Sequence, residues 1–447
     1  MKELIHNIKK LFTLSLPVML GSAGQNLIAL TDSIFLFHYN EHDFAAIGII
    51  SVFYLIISSI AYGFSKGGQI LIARKYGERM PEVVKKYFYT LCVFEIGLGL
   101  FVFLILKLFP EQILGFFIHS EVILKKSLEF LHYRIYGLLF SYLGLAFFAL
   151  YMGLSKSKII LINTIFLGIC NIVLCFVFVY GKFGFNEMGI AGAGLASSIA
   201  EISAFVFFLL YLLYDKHLQF LNLKVLPEFN IGHIRTLVKV SMPILFQSII
   251  GITSWFIFFV FIEKLGERAL SISNLLRLIY LVFTIPSWGF ALSLNTIISK
   301  TIGRKREDRV IKQIAHGSLL SVTTTAIISF PFLFFPYTML SPLFGKVENE
   351  IFMDSIVYFP LLFIILLVAS YSIILFNGVS GTGETLKSLN IQIISSVIYL
   401  IVCFVSVTNA NYLGLYFAWC AELAYWAVQG LFSWHVLKSG KWHSLKF

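Results

Sequence analysis

Long apolar stretches alternate with short polar segments along the whole 447-residue chain. An apolar stretch of about 18 residues or more is long enough to span a bilayer. Twelve such stretches can be marked, with approximate limits at 11–37, 44–70, 87–109, 127–153, 159–181, 189–214, 237–262, 270–298, 313–339, 352–382, 389–408 and 414–437. Because lipid satisfies no backbone hydrogen bonds, each stretch must be helical. The pattern therefore predicts an all-α membrane protein with twelve transmembrane helices.

The composition fits a lipid environment. Hydrophobic residues make up 58% of the chain and charged residues only 13%, whereas a soluble domain carries about 25% charge. The formal net charge of +11 could suggest nucleic acid as a partner. The Lys and Arg residues, however, lie between the apolar stretches, as they do in the loops of membrane proteins. We therefore expect the lipid bilayer, and not nucleic acid, as a partner.

The distribution of Lys and Arg predicts how the chain is oriented in the membrane. Most of the 34 Lys and Arg residues fall on one side when the N-terminus is placed in the cytoplasm. Dense clusters follow the second stretch, at Arg74-Lys75, and the eighth, at Arg304-Lys305-Arg306. Cytoplasmic loops are enriched in these residues. We therefore expect both termini in the cytoplasm.

The two halves of the chain share residues at a nearly constant separation. Three pairs have the same separation along the chain: Pro17 with Pro243, Gly63 with Gly289 and Gly77 with Gly303. Two later pairs, Gly153 with Gly378 and Gly189 with Gly414, are one residue closer together. Prolines and glycines do not easily stay in register by chance. The pattern predicts a tandem duplication.

The duplication defines the predicted domains. They are an N-terminal six-helix half (1–214), a cytoplasmic linker (215–236) and a C-terminal six-helix half (237–447). Six spans is an even number, so both halves enter the membrane from the same side. A parallel repeat of this kind has a pseudo-two-fold axis along the membrane normal. Rocking of two such halves about a central cleft gives alternating access; a static duplicated scaffold is the competing interpretation.

Several local sequences, taken in order, resemble a known family. They are Leu30-Thr31-Asp32-Ser33 in the first stretch, Arg74-Lys75-Tyr76-Gly77 after the second, and Gly189-Ile190-Ala191-Gly192-Ala193 at the start of the sixth. In this order and spacing they resemble the multidrug and toxic compound extrusion (MATE) transporters over nearly the whole chain. The resemblance implies cation-driven efflux of small amphipathic, often cationic, compounds. The wider superfamily includes lipid-linked oligosaccharide flippases, which are the nearest alternative.

Three polar residues in the first half are predicted to share a depth in the membrane. By helix rise, Asp32 lies about 8 Å, Ser197 about 12 Å and Asn171 about 15 Å below the outer ends of their stretches. An ionisable group at such a depth is a candidate functional residue, although Asp32 could also make a purely structural hydrogen bond. For Ser197 the structural interpretation is favoured, because serine suits tight helix packing.

The resemblance implies a cation site at Asp32, Asn171 and Ser197, together with an Asp where this chain has Cys175. A neutral thiol is a poor ligand for a hard cation, which prefers oxygen. This departure puts sodium binding in doubt. A proton needs only one carboxylate, so we expect coupling to protons rather than to sodium.

Other intramembrane residues are secondary candidates. Glu201, Glu422 and Arg277 are assigned to a possible second cation site or to substrate binding; a salt bridge that holds helices together is the alternative for Arg277. Pro17 and Pro243 each remove a helical hydrogen bond and so can bend their helices. For Pro17 a permanent kink is an equally good interpretation.

An enzyme is the alternative from a different functional class. The sequence contains no HExxH motif and no P-loop, which argues against membrane-embedded proteolysis and against ATP-driven pumping. A flippase should have a cleft rich in Arg and Lys, and few of these residues lie within the apolar stretches. We expect no enzymatic activity, no cofactor, no metal site and a monomer, with an amphipathic small molecule and a coupling proton or sodium ion as partners.

Overall fold

The structure, a computed structural model, describes residues 2–118, 120–221, 230–337, 350–409 and 414–444. Within these ranges twelve long helices follow one another: α1 (Lys2–Tyr39), α2 (Glu41–Gly77), α3 (Pro81–Leu108), α4 (Glu121–Gly153), α5 (Ser157–Val179), α6 (Ile190–Tyr214), α7 (Ile231–Glu263), α8 (Glu267–Gly303), α9 (Val310–Phe334), α10 (Phe359–Thr382), α11 (Thr385–Thr408) and α12 (Gly414–Lys438). Each predicted apolar stretch overlaps one of them. The predicted fold class, an all-α membrane protein with twelve transmembrane helices, is confirmed.

Ten helices in the described ranges are long and apolar enough to cross a membrane. The first and the last helix are not among these ten. α12 carries Glu422, Gln429 and three tryptophans, whose side chains are less apolar than the aliphatic residues of the other helices. Polar groups inside a spanning helix mark candidate functional sites, and the polar residues of α12 are therefore candidates.

Short connections join several successive helices within the described ranges. Only Asn40 separates α1 from α2, and its Oδ1 accepts a hydrogen bond of 2.8 Å from the backbone N of His42. A side-chain oxygen at this position satisfies a free N–H group at the start of a helix. Gly383, between α10 and α11, has a φ of 94°, a backbone conformation that glycine adopts without a steric penalty. The sequence therefore encodes tight turns at both places.

The chain packs into two compact units. One contains Leu20–Leu245, and the other contains Met1–Met19 together with Phe246–Phe447. The boundaries fall inside α1 and inside α7, so each of these helices contributes residues to both units. The predicted division at the linker 215–236 stays a prediction, and residues 222–229 of that linker lie outside the described ranges.

In the unit Leu20–Leu245, α4 packs against α2, α3 and α6, and α6 also packs against α5. Glycines allow the closest approaches. A Cβ atom on Gly194 of α6 would lie 2.5 Å from the carbonyl O of Phe130 on α4. A Cβ atom on Gly137 of α4 would lie 2.8 Å from the Cα of Ser198 on α6. Small residues at such crossings let helix backbones pack closely in lipid, which brings the polar side chains of α4 and α6 into contact.

In the other unit, α10 packs against α8, α9 and α12, and α11 packs against α12. Small polar side chains bind α8 to α10. Ser299 donates its Oγ hydrogen bond to the carbonyl O of Gly381 at 2.8 Å, and Asn295 Nδ2 donates to the carbonyl O of Asn377 at 3.2 Å. Interhelical hydrogen bonds of this kind contribute modestly to helix association in membranes. They hold α8 against α10, which in turn packs against α12.

Candidate functional site

Asp32 lies on α1 about two turns before the end of the helix at Tyr39. Its carboxyl group is within hydrogen-bonding reach of the Cys175 thiol and the Asn171 amide, both on α5. These two residues are one helical turn apart and so share one face of α5. The Oδ1 atom of Asp32 is buried and has no hydrogen-bond partner among the described residues. A buried carboxyl oxygen in this state is able to bind a proton or a cation.

Asn171 links α5 to α6. Its Nδ2 donates a hydrogen bond of 3.0 Å to Ser197 Oγ, and both side chains are buried, with 2% and 9% of their surface exposed. The Oδ1 atom of Asn171 also has no hydrogen-bond partner in the part of the chain that the structure describes. The structure thus brings Asp32, Asn171 and Ser197 together, as expected from their depth. Their role in ion coupling stays a prediction.

A buried ion pair lies beside this cluster. Arg134 on α4 binds Glu201 on α6 through two hydrogen bonds, NH1 to Oε2 at 2.6 Å and NH2 to Oε1 at 2.5 Å. The Arg134 guanidinium also stacks on the ring of Tyr54, with its Cζ 3.9 Å from the ring centroid, and the Tyr54 hydroxyl donates to Glu201 Oε2 at 3.5 Å. Bidentate pairing fixes the orientation of both groups.

The ion pair and the polar cluster form one electrostatic unit, because the Arg134 guanidinium interacts with the Asp32 carboxyl group as well as with Glu201. The sequence places Glu201 one helical turn beyond Ser197 but predicts no partner for it. The sequence signal for this ion pair was the presence of Arg134 and Glu201 inside two apolar stretches of the same half. A buried charge in a membrane helix usually has a partner of opposite sign.

Glu422 lies in the other compact unit, on α12. Its carboxyl group accepts a hydrogen bond from the Tyr399 hydroxyl at 3.0 Å and another from Trp426 Nε1 at 3.2 Å. Arg277 is the other candidate of this half. Its guanidinium lies 5.1 Å from the ring centroid of Phe259, and its Nε has no hydrogen-bond partner in the ranges described.

The two predicted bending residues lie inside long helices. Pro17 is inside α1 and Pro243 is inside α7. Pro17 belongs to the compact unit with Met1–Met19, whereas Asp32 belongs to the unit Leu20–Leu245. Because proline removes one backbone hydrogen bond, α1 has a weak point between the part that holds Asp32 and its N-terminal part. Bending at either proline stays a prediction.

Long apolar helices that enclose a carboxyl, an amide, a hydroxyl and a buried ion pair define a class of protein. They are typical of polytopic α-helical membrane proteins with ionisable groups inside their bundles, the class that includes secondary transporters. The sequence model of the MatE family matches the chain twice, over residues 17–177 and 243–405. The chain therefore belongs to the MatE family, and the resemblance found in the sequence is confirmed. A match in each half fits the predicted duplication.

Individual relatives extend over most of the chain. It is 24% identical over 447 residues to the probable multidrug resistance protein NorM of Thermotoga maritima, covering 99% of this chain and 94% of that protein. It is 22% identical over 331 residues to the probable multidrug resistance protein NorM of Haemophilus ducreyi, covering 72% and 70% of the two chains. A solved outward-facing structure of a multidrug resistance MATE family transporter has a TM-score of 0.87 at 19% identity and covers 97% of both chains. This last likeness shows the shared fold.

Proposed function

We propose that the protein is a cation-coupled antiporter that exports small amphipathic, often cationic, compounds by alternating access. The proposal places it in the bacterial cytoplasmic membrane as a monomer with both termini in the cytoplasm. It is supported by membership of the MatE family and by a relative over nearly the full length that is named as a probable multidrug resistance protein. The positive-inside distribution of Lys and Arg supports the orientation.

One observation carries the coupling part of the proposal. Asp32, Asn171 and Ser197 come from three different helices, yet their polar atoms meet in a single buried cluster. The Oδ1 atoms of Asp32 and Asn171 are buried without a partner in the described ranges. Leaving such atoms unsatisfied costs about 1–3 kcal/mol each. Binding of a coupling ion at Asp32 removes part of this cost, so ion binding and the packing of these helices are linked.

The chemistry of the cluster favours a proton over sodium. A sodium ion prefers several oxygen ligands, whereas the position beside Asp32 is occupied by the thiol of Cys175. The nearby guanidinium of Arg134 further disfavours a second fixed positive ion, although Glu201 offsets part of its charge. A proton needs only one carboxyl oxygen and fits the cluster as it stands.

Arg134 gives the flippase alternative no support. Recognition of a pyrophosphate group needs cationic side chains that are available to bind it. Arg134, one of the arginines inside the apolar stretches, is already bound on both terminal nitrogens by Glu201. The site is therefore better suited to ion coupling than to binding a polyanionic headgroup.

The proposal is tested by ethidium export from proteoliposomes that carry either a pH gradient or a sodium gradient. We expect the wild-type protein to respond to the pH gradient, and Asp32→Asn to lose gradient-driven export while remaining folded, because Asn is nearly isosteric with Asp. Asp308→Asn is the matched control, since Asp308 is exposed outside the helical bundles. Normal pH-driven export by Asp32→Asn would show that Asp32 is structural. A response of the wild type to sodium alone would contradict the preference for protons.

A further inference from the structure

Glu422 is a buried carboxyl group that the proposed coupling site does not use. Only 4% of its surface is exposed. Oε1 accepts a hydrogen bond from the Tyr399 hydroxyl at 3.0 Å, and Oε2 accepts one from Trp426 Nε1 at 3.2 Å. The indole of Trp255 on α7 is also within hydrogen-bonding reach. All three donors are neutral, so none of them balances a negative charge on Glu422.

The groups that face Glu422 from the neighbouring helices are also neutral at ordinary pH. They are Tyr280 on α8, Tyr425 on α12 and, on α11, Cys403 as well as Tyr399. In the part of the chain that the structure describes, no Lys or Arg is paired with this carboxyl group. A charged side chain inside a membrane bundle is costly unless it is paired. Glu422 is therefore poised to change its protonation state when its surroundings change.

The internal repeat relates this region to the coupling cluster of the first half. At the separation of Pro17 and Pro243, Asp32 corresponds to Phe258. At the separation of Gly189 and Gly414, Asn171 corresponds to Ser396 and Ser197 to Glu422. The carboxyl group of the second half has thus moved from the first helix of the repeat to the last. An aromatic ring takes the place of the acid on the first helix.

The corresponding residues of the second half also converge. The ring of Phe258 stacks on Tyr399, with centroids 5.5 Å apart, and Tyr399 is the donor to Glu422 Oε1. Gln392 Nε2 donates to Ser396 Oγ at 3.2 Å and to the Tyr425 hydroxyl at 2.9 Å. The place that holds the polar cluster in one repeat therefore holds a buried acid with neutral donors in the other.

We propose that Glu422 is a second proton-binding site, located in the unit that contains Phe246–Phe447, so that each repeat carries one exchangeable proton. This inference rests on the proposed antiport function for its physiological role. The ligand is a proton rather than an organic cation. Both carboxyl oxygens already accept hydrogen bonds from fixed side chains, and a bulky cation would have to displace Tyr399 and Trp426.

The hydrogen-bond geometry says where the proton is held. An indole N–H can only donate, whereas a phenol hydroxyl can donate or accept. A proton that binds Glu422 therefore goes to Oε1, and the Tyr399 hydroxyl rotates from donor to acceptor. Oε2 keeps the hydrogen bond from Trp426 in both states. Both carboxyl oxygens thus keep a hydrogen bond after protonation, Oε1 to Tyr399 and Oε2 to Trp426.

Tryptophan fluorescence gives a direct test, because a charge beside an indole changes its emission. All six tryptophans lie between residues 255 and 442, and the sequence of the Leu20–Leu245 unit contains none. The probe is the purified full-length protein in detergent, titrated with acid and base without any substrate. We expect a one-proton transition in the wild type that disappears in Glu422→Gln and is smaller in Trp426→Phe. Asp32→Asn should keep the transition, since its substitution lies in the other unit.

Glu422→Gln should fold, because the amide mimics the protonated acid: its carbonyl accepts from Trp426 and its NH₂ group donates to Tyr399. If that variant does not fold, Tyr399→Phe decides, and we expect it to displace the midpoint of the transition. A transition that persists in Glu422→Gln overturns the proposal. So does a wild type without a transition, or an unchanged midpoint in Tyr399→Phe.

The same samples separate this inference from the antiport proposal. Ethidium export from proteoliposomes tests antiport, whereas the fluorescence titration requires no transport. A normal titration with no pH-driven export would remove the proposed function and leave the proton site. Normal export without a titration at Glu422 would remove the second site and leave the coupling cluster at Asp32 as the proton carrier.

Discussion

Arg134 and Glu201 form two parallel hydrogen bonds across α4 and α6, at 2.6 Å and 2.5 Å. The side chains are only 9% and 15% exposed. Breaking a buried pair by removing one partner typically costs about 3–5 kcal/mol, whereas replacing both partners with apolar residues can be neutral. The pair therefore offers a clear test of what holds this part of the bundle together.

We predict that Glu201→Gln lowers the thermal stability of the detergent-solubilised protein strongly, because it leaves the Arg134 charge buried without its partner. The double variant Arg134→Met with Glu201→Met should recover most of the loss. Thermal unfolding of Arg134→Met, Glu201→Met and the double variant gives the coupling energy. If the double variant is the sum of the single variants, the pair contributes nothing as a unit.

The hydrogen bond between Asn171 and Ser197 leads to a second prediction. Ser197→Ala removes the acceptor and leaves one of the two N–H groups of the buried Asn171 Nδ2 without its partner, a loss of about 1–3 kcal/mol. Because Asn171 also contacts Asp32, we expect slower pH-driven export as well as lower stability. Ser203→Ala, on the same helix, is the control. Equal effects of the two variants on export would mean that Ser197 has only the packing role of any serine in α6.

Helix packing in the first unit is tested by Gly194→Ala. The added Cβ would lie 2.5 Å from the backbone carbonyl O of Phe130, and overpacking of this kind costs about 1–3 kcal/mol. Gly144→Ala is the matched control, because no neighbouring atom lies within 4 Å of the position that its added methyl group would take and alanine favours helix by about 1 kcal/mol. Thermal unfolding should therefore separate the two variants in opposite directions. Similar melting temperatures would contradict the close approach of α4 and α6.

The fold was largely predictable from the sequence because lipid leaves the backbone only one local solution, the helix. The ends of the helices were less predictable from the sequence. The eighth apolar stretch ends near residue 298, yet α8 continues to Gly303, since a helix can extend past the apolar layer wherever its side chains suit water. Hydropathy indicates whether a segment lies in lipid or in water. It says little about the residue at which the backbone hydrogen bonds of the helix end.

The candidate site was predictable in depth but not in direction around each helix. Helix rise placed Asp32, Asn171 and Ser197 at similar depths, and the structure brings them together. Helix rise could not predict that Arg134 pairs with Glu201, because that contact depends on how α4 and α6 are rotated about their axes. Such rotations are set by close packing at small residues, which has no periodic signal of its own.

The last prediction concerns the identity of the coupling ion and uses Cys175. Its side chain is fully buried, and its thiol lies within hydrogen-bonding reach of Asp32. Cys175→Asp places new carboxylate oxygens beside Asp32 and Asn171, and so supplies the several oxygen ligands that a sodium ion prefers. A charge-assisted contact is worth about 1.5–3 kcal/mol, which corresponds to a gain of about tenfold or more in sodium affinity. We therefore expect a sodium gradient to drive ethidium export by Cys175→Asp but not by the wild type. Cys175→Asn, which adds the same volume without the charge, should not respond to sodium. If Cys175→Asp folds and still responds only to the pH gradient, the thiol is not what excludes sodium, and the neighbouring charge of Arg134 becomes the better explanation.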